Sequence, residues 1–260
     1  MSALQTHSRF YYGIRIETES RFIDFNEGAA ELSFELVVKD YTLTELAQAI
    51  EDGLNSEGAL TYTVSMNRTT RIMTIAATGT FALLANSGTN VDFGAWAIAG
   101  FNATDRTGAA TYNSQNAVGS SFAPQFVLQE YVPKEQNRRS LNAVVSKSAS
   151  GAKVTVQTFG EERFIKFNIQ YITNIPQPSG QRIKNNTTGV ADAVAFLTSI
   201  TDKGRFEFMP DEDDLSTFTT VLLESIGSDR DGTSFELREY YDKGLPFYFE
   251  TGSIVLKALD

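Results

Sequence analysis

The chain has no cysteine and one histidine, His7, in 260 residues. Without Cys there are no disulfides, no thiolate nucleophile and no Cys-ligated zinc, a composition that suits a reducing cytosol. A single His in a polar terminus supplies neither a Ser-His-Asp arrangement nor a His-ligated metal site, so no catalytic residues, metal or cofactor are expected. No run of about 18 consecutive apolar residues occurs, and Met1 to Tyr12 lacks an apolar signal core, so neither membrane insertion nor signal-peptide export is expected. Basic residues are the minority, 22 Lys and Arg against 32 acids for a net charge of −10, and no cluster of them is interleaved with aromatics. A phosphate backbone would be repelled on average, which argues against nucleic acid as a partner. Ala77-Thr78-Gly79-Thr80 and Asn86-Ser87-Gly88-Thr89 lack the second Gly and the Lys of phosphate-cradling loops.

What is present is an ordinary globular composition with a β bias. Apolar residues make up 42% and charged residues 21%, enough to bury a core, and the 19 Phe and 10 Tyr stand in short runs broken by Thr, Asn, Gly and Ser. Phe10 to Glu17 and Arg21 to Phe25 read as strands, and Glu31 to Val38 puts Leu32, Phe34, Leu36 and Val38 on one face. Thr42 with Glu45 forms a capping box, Tyr41 and Leu46 a staple, and Leu43, Leu46, Ala47, Ile50 and Leu54 one apolar stripe that ends before Gly58. This predicts an amphipathic helix from Thr42 to about Asn55, packed on the sheet that carries Phe34 and Leu36. Thr61 to Asn67 and Arg71 to Ala77 alternate as a hairpin around Asn67-Arg68-Thr69-Thr70. Gly79 reads as a turn into a short strand, Phe81 to Ala85. Phe93 to Phe101, with the only Trp, Trp96, reads as a short helix or buried loop.

From Asn102 to Ser121 the chain is rich in Thr, Ala, Asn, Ser and Gly, which reads as an exposed connection with a domain boundary near residue 120. Beyond it, an apolar run resumes at Phe122 to Pro133. Lys153 to Gln157 and Arg163 to Ile172 read as strands around a Phe159-Gly160-Glu161-Glu162 turn, and Ile175 to Asn186 as a loop. Val190, Ala193, Val194, Leu197 and Ile200 form a second helical stripe, stopped by Gly204. Strands follow at Arg205 to Met209, Thr217 to Ile226, Ser234 to Tyr241 and Tyr248 to Leu259. The class is therefore α+β, mostly β, in two modules of sheet plus one helix each: residues 1–119 and 120–260.

Acids are the one catalytic type in quantity. Asp211-Glu212-Asp213-Asp214 reads as a solvated loop, because adjacent side chains in a turn diverge. Asp229-Arg230-Asp231-Gly232 fails the calcium-loop register: with Gly232 at position 6, position 12 is Arg238, not Glu. Nothing in the pattern singles out a glycosidase-type acid pair, and Trp96 in a short apolar segment reads as core.

Asp40-Tyr41-Thr42-Leu43-Thr44-Glu45-Leu46, Leu60 to Val64, Thr70-Arg71 leading to Thr74-Ile75, Gly79 to Leu84, Trp96 to Phe101 and Asp105 to Gly108 resemble, in order and spacing, a small α/β module of tailed-bacteriophage structural proteins. That likeness covers about residues 10 to 112. The helix ending at Gly204, Arg205 to Asp211, Tyr248-Phe249-Glu250 and Ile254-Val255-Leu256 resemble the β-sandwich with a flanking helix of tail-tip ring proteins, such as distal tail proteins. The resemblance implies a non-enzymatic subunit of a phage tail, tail tip, baseplate or ring. Its expected partners are further copies of itself and other tail proteins, with no nucleic acid, membrane or small-molecule substrate. Its expected place is the virion, after folding in the bacterial host cytoplasm. The alternatives are a carbohydrate- or receptor-binding β module of a phage particle, and a carboxylate-based hydrolase. The charge distribution bears on assembly: residues 134–184 hold nine Lys and Arg against three Glu, and residues 205–260 five against thirteen acids. Either a basic edge with Arg138 and Arg139 faces a neighbour's acidic edge, with Phe247 or Tyr248 as apolar anchors, or the two segments lie side by side within one subunit and neutralise each other.

Overall fold

The computed structural model describes residues 8–124, 127–128, 138–147, 153–170, 172, 189–202, 204–210, 214–226, 238–239 and 249–259. The fold is α+β and mostly β. In chain order the first elements are β1 (Arg9–Tyr11), β2 (Ile14–Arg15), β3 (Phe22–Asn26), β4 (Glu31–Glu35), β5 (Asp40–Tyr41) and α1 (Leu43–Glu57). Then come β6 (Tyr62–Met66), β7 (Met73–Leu83), a single 3-10 turn at Val91–Phe93, β8 (Arg106–Asn113) and β9 (Ser121–Phe122). The remainder holds β10 (Val127–Leu128), β11 (Arg138–Lys147), β12 (Lys153–Ile169), α2 (Val190–Asp202), β13 (Arg205–Met209), β14 (Thr219–Ile226), β15 (Arg238–Glu239), β16 (Phe249–Glu250) and β17 (Ser253–Ala258).

The chain forms two compact units, Arg9–Phe122 with Thr198–Phe218, and Met1–Ser8 with Ala123–Leu197 and Thr219–Asp260. The stretch 198–218, which the sequence pattern places in the C-terminal module, thus belongs with the N-terminal residues. Strand β13 explains why: β1 pairs it antiparallel on one side and β9 on the other, and Phe10 stacks on Phe208 with centroids 5.0 Å apart.

In the N-terminal unit a five-stranded antiparallel sheet runs β4-β3-β7-β6, with β8 also on β7. Register alternation puts Ile23, Phe25, Leu32 and Phe34 on one face and Phe22, Asp24 and Ser33 on the other. Helix α1 covers the first face. Its start is the expected box: Thr42 Oγ1 accepts from the Glu45 amide and Glu45 Oε2 from the Thr42 amide, both at 3.1 Å. Leu43, Leu46, Ala47, Ile50 and Leu54 are all buried, as the stripe predicts. Edge-to-face rings continue the core from Phe25 to Tyr62, Phe81 and Tyr112.

At Gly53 helix and sheet approach closely, since a Cβ there would stand 2.2 Å from the Phe34 ring. Gly to Ala in a helix interior ordinarily gains about 1 kcal/mol. Here Gly53→Ala is expected instead to cost about 1–3 kcal/mol, because the ring must be displaced in a packed layer. Urea unfolding should show the loss shrinking when Phe34→Leu is added; equal losses in both backgrounds would mean the ring is not the obstacle.

Several expectations change in the structure. Gly79 makes no turn, and Met73 to Leu83 is one strand, with the Leu60 side chain lying where a Gly79 Cβ would be, 2.9 Å away. The polar stretch 102–121 is not a plain connection, because Arg106–Asn113 pairs with β7 as a strand, with two register shifts along the pair. Val38, expected on the core face, is 44% exposed, because β4 ends at Glu35 and the chain bends away. Val194 is exposed too; Phe196 takes its place with Ala193, Leu197 and Ile200 on the buried stripe of α2.

In the C-terminal unit β12 is the longest strand. It pairs β10 and β17 near its C-terminal end, and β14 pairs β17. The expected turn at Phe159–Glu162 is absent: the strand runs through it, paired with β11, and a register shift between Leu141 and Ala143 absorbs the irregularity at Gly160. The expected single strand from Tyr248 to Leu259 is broken at Gly252, whose φ of +70° turns the chain between β16 and β17. Among the described residues no helix is long and apolar enough to cross a membrane.

Candidate functional site

The acids that drew attention in the sequence mostly lie outside the described residues: Asp211, Glu212, Asp213 and the stretch Asp229 to Gly232, as do His7, Phe247 and Tyr248. Asp214 is exposed at the surface and closes a local turn, with its carboxyl held below the usual range by the Ser216 and Thr217 hydroxyls. Among the described residues no group of three His, Cys, Asp or Glu side chains is placed to hold a metal ion.

Three carboxylates that sequence reasoning passed over do organised work in the N-terminal unit. Glu207, on β13, is fully buried and accepts from the Thr44 amide at the start of α1, at 3.0 Å, and from the Arg68 guanidinium. Arg68 also donates to Thr44 Oγ1 at 2.7 Å and lies 3.5 Å over the Phe218 ring. The pair neutralises itself and meets the positive end of the α1 dipole. With Glu207 at 0% exposure it holds helix, hairpin turn and strand together and reaches no solvent-borne substrate.

Glu27, after β3, receives the Ala59 and Leu60 amides and the Tyr62 hydroxyl beyond the end of α1. Desolvation acts to raise its carboxyl, but these donors outweigh it and hold the group below the ordinary range. The Tyr62 hydroxyl is pushed up, first by burial and then by the same carboxylate.

Asp24, on the face of β3 away from α1, is buried. Its Oδ1 accepts from Ser33 Oγ at 2.5 Å and Asn90 Nδ2 at 2.9 Å, its Oδ2 from the Asn90 amide at 2.7 Å, and its carbonyl from Trp96 Nε1 at 3.0 Å. Trp96 is core, as the sequence implies, packed edge-on against Phe101 at 5.3 Å. Asp24 also lines a cavity of about 130 Å³ between this face and residues 84–103. Beside it lies exposed apolar surface: Phe93 is 48% and Val37 66% exposed, and backbone bonds set Phe93 and Leu36 on either side of Arg21.

The other unit offers a different feature. From Lys153 to Arg163, β12 pairs with β11 alone among the described strands. Its register sets Arg139 opposite Arg163 and Lys147 opposite Lys153.

No family model matches this chain, and a search of curated proteins finds no match either. The functional reading therefore stands on the elements themselves.

Proposed function

We propose that this protein is a non-enzymatic structural subunit of a bacteriophage tail, in the tip, baseplate or a tail ring, which assembles with copies of itself and with neighbouring tail proteins. The β11–β12 ribbon carries the reading. Ten residues of β11 extend about 34 Å at roughly 3.4 Å per residue. A two-stranded ribbon is at best marginally stable in water on its own. Such an element gains its stability from a surface laid against it. The acidic surplus of residues 205–260 on a neighbouring copy supplies the matching charge, in a head-to-tail contact of the kind that closes rings. The order of β4, the capped helix α1, the β6–β7 hairpin and the Trp96 to Phe101 segment supports the same reading, as it follows the phage module that the sequence resembles.

Sedimentation of the purified chain tests it. Exposed charge contacts are screened beyond about 10 Å at 0.1 M salt, so oligomers present at about 0.05 M salt should weaken toward 0.5 M and be lost in Arg138→Glu/Arg139→Glu. A chain that stays monomeric at high concentration, and that mass spectrometry does not find in purified phage particles, would remove the proposal.

A further inference from the structure

We infer that the cavity between the outer face of β3 and residues 84–103 is a binding site for a quaternary alkylammonium group. Its volume of about 130 Å³ suits one small organic head group, and three aromatic residues, Phe22, Trp96 and Phe101, are among those that line it. Val91 and Ala97, also in the lining, are exposed, so the cavity is reached from solvent, whereas Trp96, Phe101 and Asp24 are buried. Aromatic rings attract a cation through the negative potential of their faces, most strongly where the site is desolvated.

Asp24 sets the sign of the charge. It is 3% exposed, and the donors it receives, Ser33 Oγ and the amide and side chain of Asn90, are all neutral. A buried carboxylate without a cation gains from one placed in the adjoining low-dielectric space. Arg21, which lies 5.3 Å from the Phe22 ring, is paired with Glu35 at 2.7 Å and does not fill this role. The same hydrogen bonds decide between kinds of ammonium. A primary amine brings three N–H donors that need acceptors, and Asp24, the one charged residue in the lining, already holds three bonds on its carboxylate. A trimethylammonium head has no N–H to satisfy and presents methyl groups to the rings.

Trp96 is the only tryptophan, so its fluorescence reports on this site alone. The full chain should be titrated at constant ionic strength with choline, with its uncharged carbon isostere 3,3-dimethyl-1-butanol, and with n-butylammonium. Choline is expected to give a saturable change in Trp96 emission, with the isostere and the primary amine weaker by about tenfold or more. Asp24→Asn should erase the preference for choline over the isostere, and Ala97→Leu, which fills the mouth and leaves the carboxylate untouched, should abolish both responses. Should Asp24→Asn fail to fold, the isostere pair and Ala97→Leu decide. Equal binding of choline and its isostere, a preference for the primary amine, or an unaltered response in Ala97→Leu overturns the inference. None of these outcomes depends on whether the chain assembles.

Discussion

Arg68→Ala is expected to destabilise the N-terminal unit by about 3–5 kcal/mol, the range for removing one partner of a buried ion pair. The cost is not the lost attraction alone. Glu207 is fully buried, and without the guanidinium its charge would keep only the Thr44 amide. Arg68 also covers the Phe218 ring and is held from its own carbonyl by the Tyr11 hydroxyl at 2.7 Å, so truncation exposes apolar surface as well. Replacing both charges by apolar groups of similar size, Arg68→Met with Glu207→Leu, should recover most of the loss, because desolvation of both ions is then avoided. Urea unfolding with an unchanged denaturant slope is the measurement. A loss below about 1 kcal/mol in the single variant would be the value of a solvated surface pair, and would mean that water reaches Glu207.

That pair also marks the limit of what the sequence revealed. Helix α1 was legible in full because each of its signals is local: the cap, the box and the stripe lie within a few residues of one another, and the i, i+3, i+4 spacing fixes which side chains face inward. The β6–β7 hairpin was legible for the same reason, its register running from Tyr62 opposite Ala77 to Met66 opposite Met73. Glu207 was not, because its partners lie 139 and 163 residues away. Within Arg205–Met209 the alternation of Phe206 and Phe208 predicts one buried face and leaves Glu207 on the other, where an acid reads as exposed. Both faces are in fact covered. The same non-local pairing explains why residues 198–218 group with the N-terminal unit: β13 pairs with β1. Strand β8 resembles a connection in sequence because Thr, Gly, Ala and Asn also make loops, and only pairing with β7 distinguishes the two. Asp24 and the cavity beside it were invisible for a further reason, since the wall comes from β3 and from an irregular segment some seventy residues on, with no periodicity to announce it.

Leu46→Ala is the second large effect, and it tests the element that the sequence described best. Leu46 is fully buried in the stripe of α1 and shares a core with Ile23, Phe25, Tyr62, Ile75 and Phe81. Alanine is the better helix former, so helix propensity alone would favour the variant. The expected loss of about 2–5 kcal/mol therefore reports the missing contacts and the cavity they leave. The upper part of the range is expected, because the neighbours that would have to collapse into the space are held by strand pairing on β3, β6 and β7 and by the edge-to-face rings. Gln48→Ala supplies the control on the same helix: Gln48 is exposed and bonds only Asp52, at 2.8 Å, so its change should stay within about 0.5 kcal/mol. Both are measured as shifts of the urea midpoint at constant slope. A Leu46→Ala loss as small as that of Gln48→Ala would mean that the stripe does not seal a core and is free to serve a partner; the two values should instead differ by several fold.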